Sequence, residues 1–302
     1  MTRCETRRRV NVNDKESRIA PKGLELVSPA FEGLPEHWRI ASRAVEDLSG
    51  DDRVLGLYLA GSFASGQADR WSDIDLYVVV PDGQADELIS SHSNLIREVA
   101  DVATLFPATH LGDRHQIIVF YKAGDEPIHV DYQYREVSGL KPRQKDAEVV
   151  LLLDRAGHLA RWQDACRHEP ELDRRTPEEL QDLEDRFWGW CWYTHSKIKR
   201  GELWEARASL EYIRDHVLLP LAHGEDQPFE GNRRLETKLP RTTQDLLAET
   251  IPASHSVDGY AQALAGSMDA YSRLFEAIPP HERDGVQIVD RTYFQEAIGE
   301  SE

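Results

Sequence analysis

Asp73 and Asp75 stand two residues apart at the mouth of an apolar run, in SDIDLYVVV, residues 72–80. In an extended strand, residues i and i+2 share a face, so the two carboxylates project together while Ile74 and Leu76 point the other way. Two acids held this close repel unless a cation lies between them, and a hard divalent ion with positions open to phosphate oxygens, Mg²⁺, suits such a pair. A third acid, Asp131 in IHVDYQY, shares its strand face with His129 and Gln133. If that strand lies beside 73–80, Asp131 completes a three-carboxylate cluster. Upstream, Gly61 and Ser62 close the apolar stretch VLGLYLA. A glycine there lets backbone approach an anion closely, and Ser62 offers both hydroxyl and N–H; Ser72, next to the acid pair, is a second donor.

These residues need a sheet to hold them. LPEHWRIASRAVEDLSG, residues 34–50, has helical spacing with Pro35 at its start and Gly50 as a stop. VLGLYLAGS and 73–80 read as strands, ADELISSHSNLIREVADVATLF as a helix, and 115–121 and 127–134 as two strands joined by a turn at Ala123 to Pro127. That order predicts an α+β domain with a small mixed sheet backed by helices. After about residue 140 the pattern turns helical. Thr176, Pro177 and Glu179 have the form of an N-cap, a first-turn proline and a capping-box acid, Gly201 splits the following helical stretch, and 257–277 reads as another helix. The expected division is a flexible tail over 1–33, a catalytic domain over 34–140, a helical domain over 141–280 and a C-terminal tail over 281–302. The aromatic run Phe187, Trp188, Trp190, Trp192 and Tyr193 covers more than one helix face and reads as core packing plus an inter-domain contact rather than a stacking surface.

Composition narrows the partners. The chain has 302 residues, 36 Lys and Arg against 54 Asp and Glu, and a formal net charge of −18. That balance argues against general nucleic-acid binding and suits a cationic substrate. Three widely spaced cysteines support neither a disulfide framework nor a zinc site. No apolar stretch has membrane-spanning length and the N-terminus lacks a secretory core, so the expectation is a cytoplasmic protein without a membrane partner.

The combination of apolar strand, Gly-Ser, Asp-Ile-Asp opening a second strand, and a later strand with a single Asp resembles the nucleotidyltransferase superfamily with the polymerase-β-like fold. The helical half resembles the aminoglycoside and lincosamide adenylyltransferases. The resemblance implies that Asp73 and Asp75 ligate Mg²⁺, that Asp131 joins the metal shell or takes a proton, and that Ser62, with Gly61 and Ser72, contacts the nucleotide phosphates. It also implies a lysine from the helical half on the phosphates, for which Lys197 in HSKIKRGELWEA is the candidate, with Glu202 and Glu205 as acceptor contacts or bases. The implied activity is transfer of AMP from ATP to a hydroxyl of a small cationic, aminoglycoside-like molecule, releasing pyrophosphate. A protein or RNA acceptor, as in toxin–antitoxin nucleotidyltransferases, and a non-catalytic nucleotide-binding module are the alternatives.

Overall fold

The structure is a computed structural model, which describes residues 28–169, 176–223 and 231–299. Most of the expected N-terminal tail, residues 1–27, lies outside the described residues. The chain divides into two compact units between residues 169 and 170.

The first unit opens on a single 3₁₀ turn, Ser28–Phe31. Its Phe31 is buried and stacks on Phe63 with ring centroids 4.2 Å apart, so the end of the expected tail belongs to the core. Helix α1, Pro35–Ser49, starts on proline, whose missing N–H costs nothing in a first turn, and buries Ile40, Ala44, Val45 and Leu48 at helical spacing. Strand β1 (Gly56–Leu59), the short helix α2 (Gly61–Ser65) and strand β2 (Ile74–Val80) follow. Then come α3 (Ala85–Val99), β3 (Val102–Pro107), β4 (Gln116–Ala123), β5 (Glu126–Glu136), β6 (Val150–Asp154) and α4 (His158–His168).

The six strands form one mixed sheet in the order β3-β4-β5-β2-β1-β6. β2 and β5 run parallel, and the other neighbouring strands pair antiparallel. On one face Leu57, Leu59, Ile74, Leu76, Val78, Val130, Tyr132 and Tyr134 pack into the main core with α1 and α3. The opposite face carries Asp75 and Tyr77 on β2, with His129, Asp131, Gln133 and Arg135 on β5. Part of that face is roofed by α4, where Leu159 and Trp162 pack with Tyr58 and Val79.

Two expectations are corrected here. The helix expected over 85–106 stops at Val99, and Val102–Pro107 becomes edge strand β3, because its β-branched and aromatic residues pair with β4. The boundary expected at 140 falls at 169, because β6 pairs with β1 and α4 packs against the same sheet.

In the second unit α5 (Pro177–Lys199) starts with the capping box of Thr176 and Glu179, each satisfying the other's backbone N–H. Gly201, at φ +72°, makes the turn into α6 (Leu203–Ile213). A π-helical turn at Arg214–Leu218 leads into α7 (Leu219–Ala222), followed by α8 (Leu235–Lys238), α9 (Arg241–Ala248), α10 (Val257–Ala277) and α11 (Arg291–Gly299). Phe187, Trp188, Tyr271 and Phe275 form an aromatic centre, whereas Trp192 and Tyr193 are exposed, so the aromatic run is only partly core.

The C-terminal tail expected over 281–302 is likewise corrected over the residues described. Buried Glu184 accepts from both Nε and a terminal nitrogen of Arg291, at 2.9 and 2.6 Å, and from the Tyr271 hydroxyl at 2.6 Å. A buried charge needs such partners, and this one ties the start of α11 to α5. No described helix is long and apolar enough to cross a membrane.

Candidate active site

The parallel pairing of β2 with β5 builds the site. Its register sets Asp75 directly beside Asp131, and Asp73 comes one strand repeat before Asp75. Ligand oxygens of Asp73, Asp75 and Asp131 all lie within 4.8 Å of one another. The sheet therefore holds three carboxylates at a separation that only a cation, protonation or hydrogen-bond donors make tolerable.

One donor is His129, which lies over Phe120 with ring centroids 4.6 Å apart. Its Nε2 is 2.7 Å from Asp131 Oδ1 and its Nδ1 is 3.9 Å from Asp73 Oδ2. Burial works against the imidazolium. The Asp131 hydrogen bond and the charges of Asp131, Asp73 and Asp75 together outweigh it, raising the pKa above the ordinary histidine value. A second donor is Gln133, whose amide reaches Asp75 Oδ1 at 3.3 Å.

Gly61 adopts φ +64° where β1 passes into α2, and a methyl built there would overlap Asp75 Oδ2. Glycine is thus required twice, for the left-handed backbone and for the close approach of the acid. Ser62 Oγ is buried without a hydrogen-bond partner, which costs about 1–3 kcal/mol until an acceptor arrives. Ser72 is differently placed: its hydroxyl accepts from Asp69 N at 2.9 Å and donates to Asp69 Oδ1 at 3.2 Å. It shapes the loop entering Asp73.

Lys197, Glu202 and Glu205 cluster within the second unit. Lys197 Nζ lies 2.8 Å from Glu202 and 3.1 Å from Glu205, and the two hydrogen bonds, Glu202 foremost, raise its pKa. The Tyr193 hydroxyl donates to Glu205, and that bond, followed by the one from Lys197, lowers the Glu205 pKa. Alternation along the sequence puts Gln133 on the acid face without giving it a role, and it does not single out Arg135 or Asp113 behind it. The only available signal was the two-residue alternation along β5.

Residues 39–135 match the family model described as a nucleotidyltransferase domain. This stretch is a nucleotidyltransferase domain. It runs from within α1 through most of β5, and hence contains all three acids together with Gly61 and Ser62. Among solved structures, a crystal structure of a nucleotidyltransferase-like protein from Exiguobacterium sibiricum 255-15 is 11% identical, with a TM-score of 0.36, covering 81% of this chain and 74% of that one. None of the curated proteins matches the chain.

The donor set fits a divalent cation: three hard carboxylate oxygens converge from two adjacent strands, with no sulfur and one imidazole at the edge. Asp73, Asp75 and Asp131 are the residues that would hold it.

Proposed function

We propose that the protein is a metal-dependent adenylyltransferase that moves AMP from ATP to a hydroxyl of a small cationic, aminoglycoside-like molecule, releasing pyrophosphate. The observation that carries this reading is the convergence of Asp73, Asp75 and Asp131 within 4.8 Å inside a nucleotidyltransferase domain. A divalent ion bound there would neutralise triphosphate charge and polarise the phosphorus under attack.

The chain's own residues do the rest. Asp73 and Asp75 supply the negative charge that retains the ion. The unpartnered Ser62 hydroxyl, beside a glycine that lets backbone come close, donates to a phosphate oxygen. Asp131 takes the proton of the attacking hydroxyl, held in place by His129 on its Oδ1. Glu202 and Glu205 are the competing bases. Lys197 enters by resemblance as a phosphate ligand, and to serve it must exchange the two carboxylates that now hold its ammonium. The acidic chain, at −18, favours an acceptor bearing ammonium groups over a nucleic acid.

The test is a panel of aminoglycosides and lincosamides with ATP and Mg²⁺, read as pyrophosphate release and as label transferred from α-labelled ATP. A labelled small molecule is the expected result. Label appearing only on protein or RNA from an extract overturns the acceptor class, and absence of any transfer overturns the enzymatic reading.

A further inference from the structure

The polar side of β5 does not end at the acids. Gln133 and Arg135 follow Asp131 at two-residue intervals on the same face. Gln133 is 7% exposed, and its amide nitrogen donates to Asp75 Oδ1. Which end of the amide faces Asp75 is itself fixed. Arg135 donates to Gln133 Oε1 at 2.8 Å, a bond that only the carbonyl end can accept.

Arg135 is held in turn by Asp113 at 2.9 Å, by the Tyr134 carbonyl at 2.9 Å and by the face of the Tyr77 ring, 5.5 Å away. Asp75 is therefore gripped from two sides. Gly61 lets Oδ2 come close where any side chain would collide with it, and a braced amide sits at Oδ1.

We propose that Gln133 is a positioning residue for the metal site, which orients the Asp75 carboxylate while Arg135 and Asp113 orient Gln133. This rests on the reading of Asp73, Asp75 and Asp131 as the metal ligands. A carboxylate facing two others is pushed to rotate away from them, and an N–H on one oxygen holds its plane. The neutrality of glutamine matters. An arginine bonded directly to Asp75 would cancel the charge that attracts the cation, and Gln133 passes on the guanidinium's directional hold without its charge. The amide is a neutral spacer between a cation and an acid that must stay available to a different cation.

The experiment is a titration of the full-length protein with Mn²⁺ alone, followed by the electron paramagnetic resonance signal of free Mn²⁺. The wild type is compared with Gln133→Leu, Arg135→Met, the double variant and Asp73→Asn, each checked by circular dichroism for its fold. Loss of Gln133 is expected to weaken Mn²⁺ binding by about 10- to 100-fold, the usual effect of removing a partner behind a ligand. Arg135→Met, which retains the glutamine but frees its amide to flip, is expected to weaken binding less. The double variant should be no worse than Gln133→Leu, because both act through one contact.

Should Gln133→Leu bind Mn²⁺ like the wild type, or the two losses add, the positioning role is overturned while the metal reading stands. If Gln133→Leu does not fold, unchanged binding by Arg135→Met overturns it. Wild-type protein that binds Mn²⁺ no better than Asp73→Asn overturns the metal reading itself, and the inference with it.

Discussion

In the proposed reaction, single atoms of Asp73, Asp75 and Gly61 decide the chemistry. Asp73→Asn or Asp75→Asn keeps the shape of the side chain and removes one charge from a cluster whose oxygens lie within 4.8 Å. A bound cation contributes several kcal/mol to the transition state, so pyrophosphate release is expected to fall by about 10³-fold or more with the circular dichroism spectrum unchanged. Gly61→Ala tests the same acid from the backbone side. It forces alanine into φ +64° and drives a methyl into Asp75 Oδ2. The strain alone is about 1–2 kcal/mol. The expected outcome is a modest drop in melting temperature with a loss of activity close to that of Asp75→Asn, because the displaced carboxylate is a proposed metal ligand. At this scale the sequence was informative: alternation put Asp75 and Asp131 on one sheet face, and Asp73, just ahead of β2, converges with them. Alternation says which way a side chain points but not what waits there, so the Gln133 contact to Asp75 and the internal use of the Ser72 hydroxyl by Asp69 stayed hidden.

Among the elements, α3 shows how the scaffold responds to pH. His92 on α3 is buried between the Tyr134 hydroxyl at 3.0 Å and Asp51 at 3.1 Å. A neutral ring that donates Nε2–H to Asp51 and accepts at Nδ1 from Tyr134 satisfies both contacts. Burial, the largest influence, lowers its pKa below 6.5 despite the pull of Asp51. The unfolded chain therefore takes up this proton first as pH falls, and stability is lost below pH 6.5 and fully present above it. Urea unfolding is expected to give a smaller free energy at about pH 5.5 than at about pH 7.5, with His92→Gln reducing the difference. His37, also lowered by burial, accounts for part of the slope that remains. The elements missed in the sequence share a cause. β3 continues a helical pattern without a breaker, and β6 is five residues long inside a segment that otherwise reads as helical. Both are edge strands, specified by the neighbour they pair with more than by their own residues.

Taken whole, the chain places its nucleotidyltransferase match, 39–135, inside a larger compact unit that reaches Glu169. The added part is structural: β6 completes the sheet at β1, and α4 covers Tyr58 and Val79 with Leu159 and Trp162. Each large apolar side chain so buried contributes about 1.5–3 kcal/mol. A polypeptide ending at Glu169 is expected to melt cooperatively, and one ending at residue 140 to lose several kcal/mol and expose the Tyr58 face to protease, as thermal melts and limited proteolysis would record. The helical character of the second half was legible because capping residues such as Thr176 and a turn glycine such as Gly201 act locally. The position of the boundary depends on a long-range strand pairing, which no local window contains.

The parallel junction of β2 with β5 has a consequence for how the protein reaches its native state. The β3-β4-β5 strands can form by neighbouring antiparallel pairings, and β1 meets β2 across one short connection, but β2 and β5 join only after α3, β3 and β4 have intervened in the chain. Such a long closure belongs among the slow steps of folding. Since Asp75 and Asp131 first meet in that closure, the mutual repulsion of the two acids opposes a non-local step of folding. The acid cluster is thus a source of frustration in that docking step, and ions that screen the acids are expected to speed refolding.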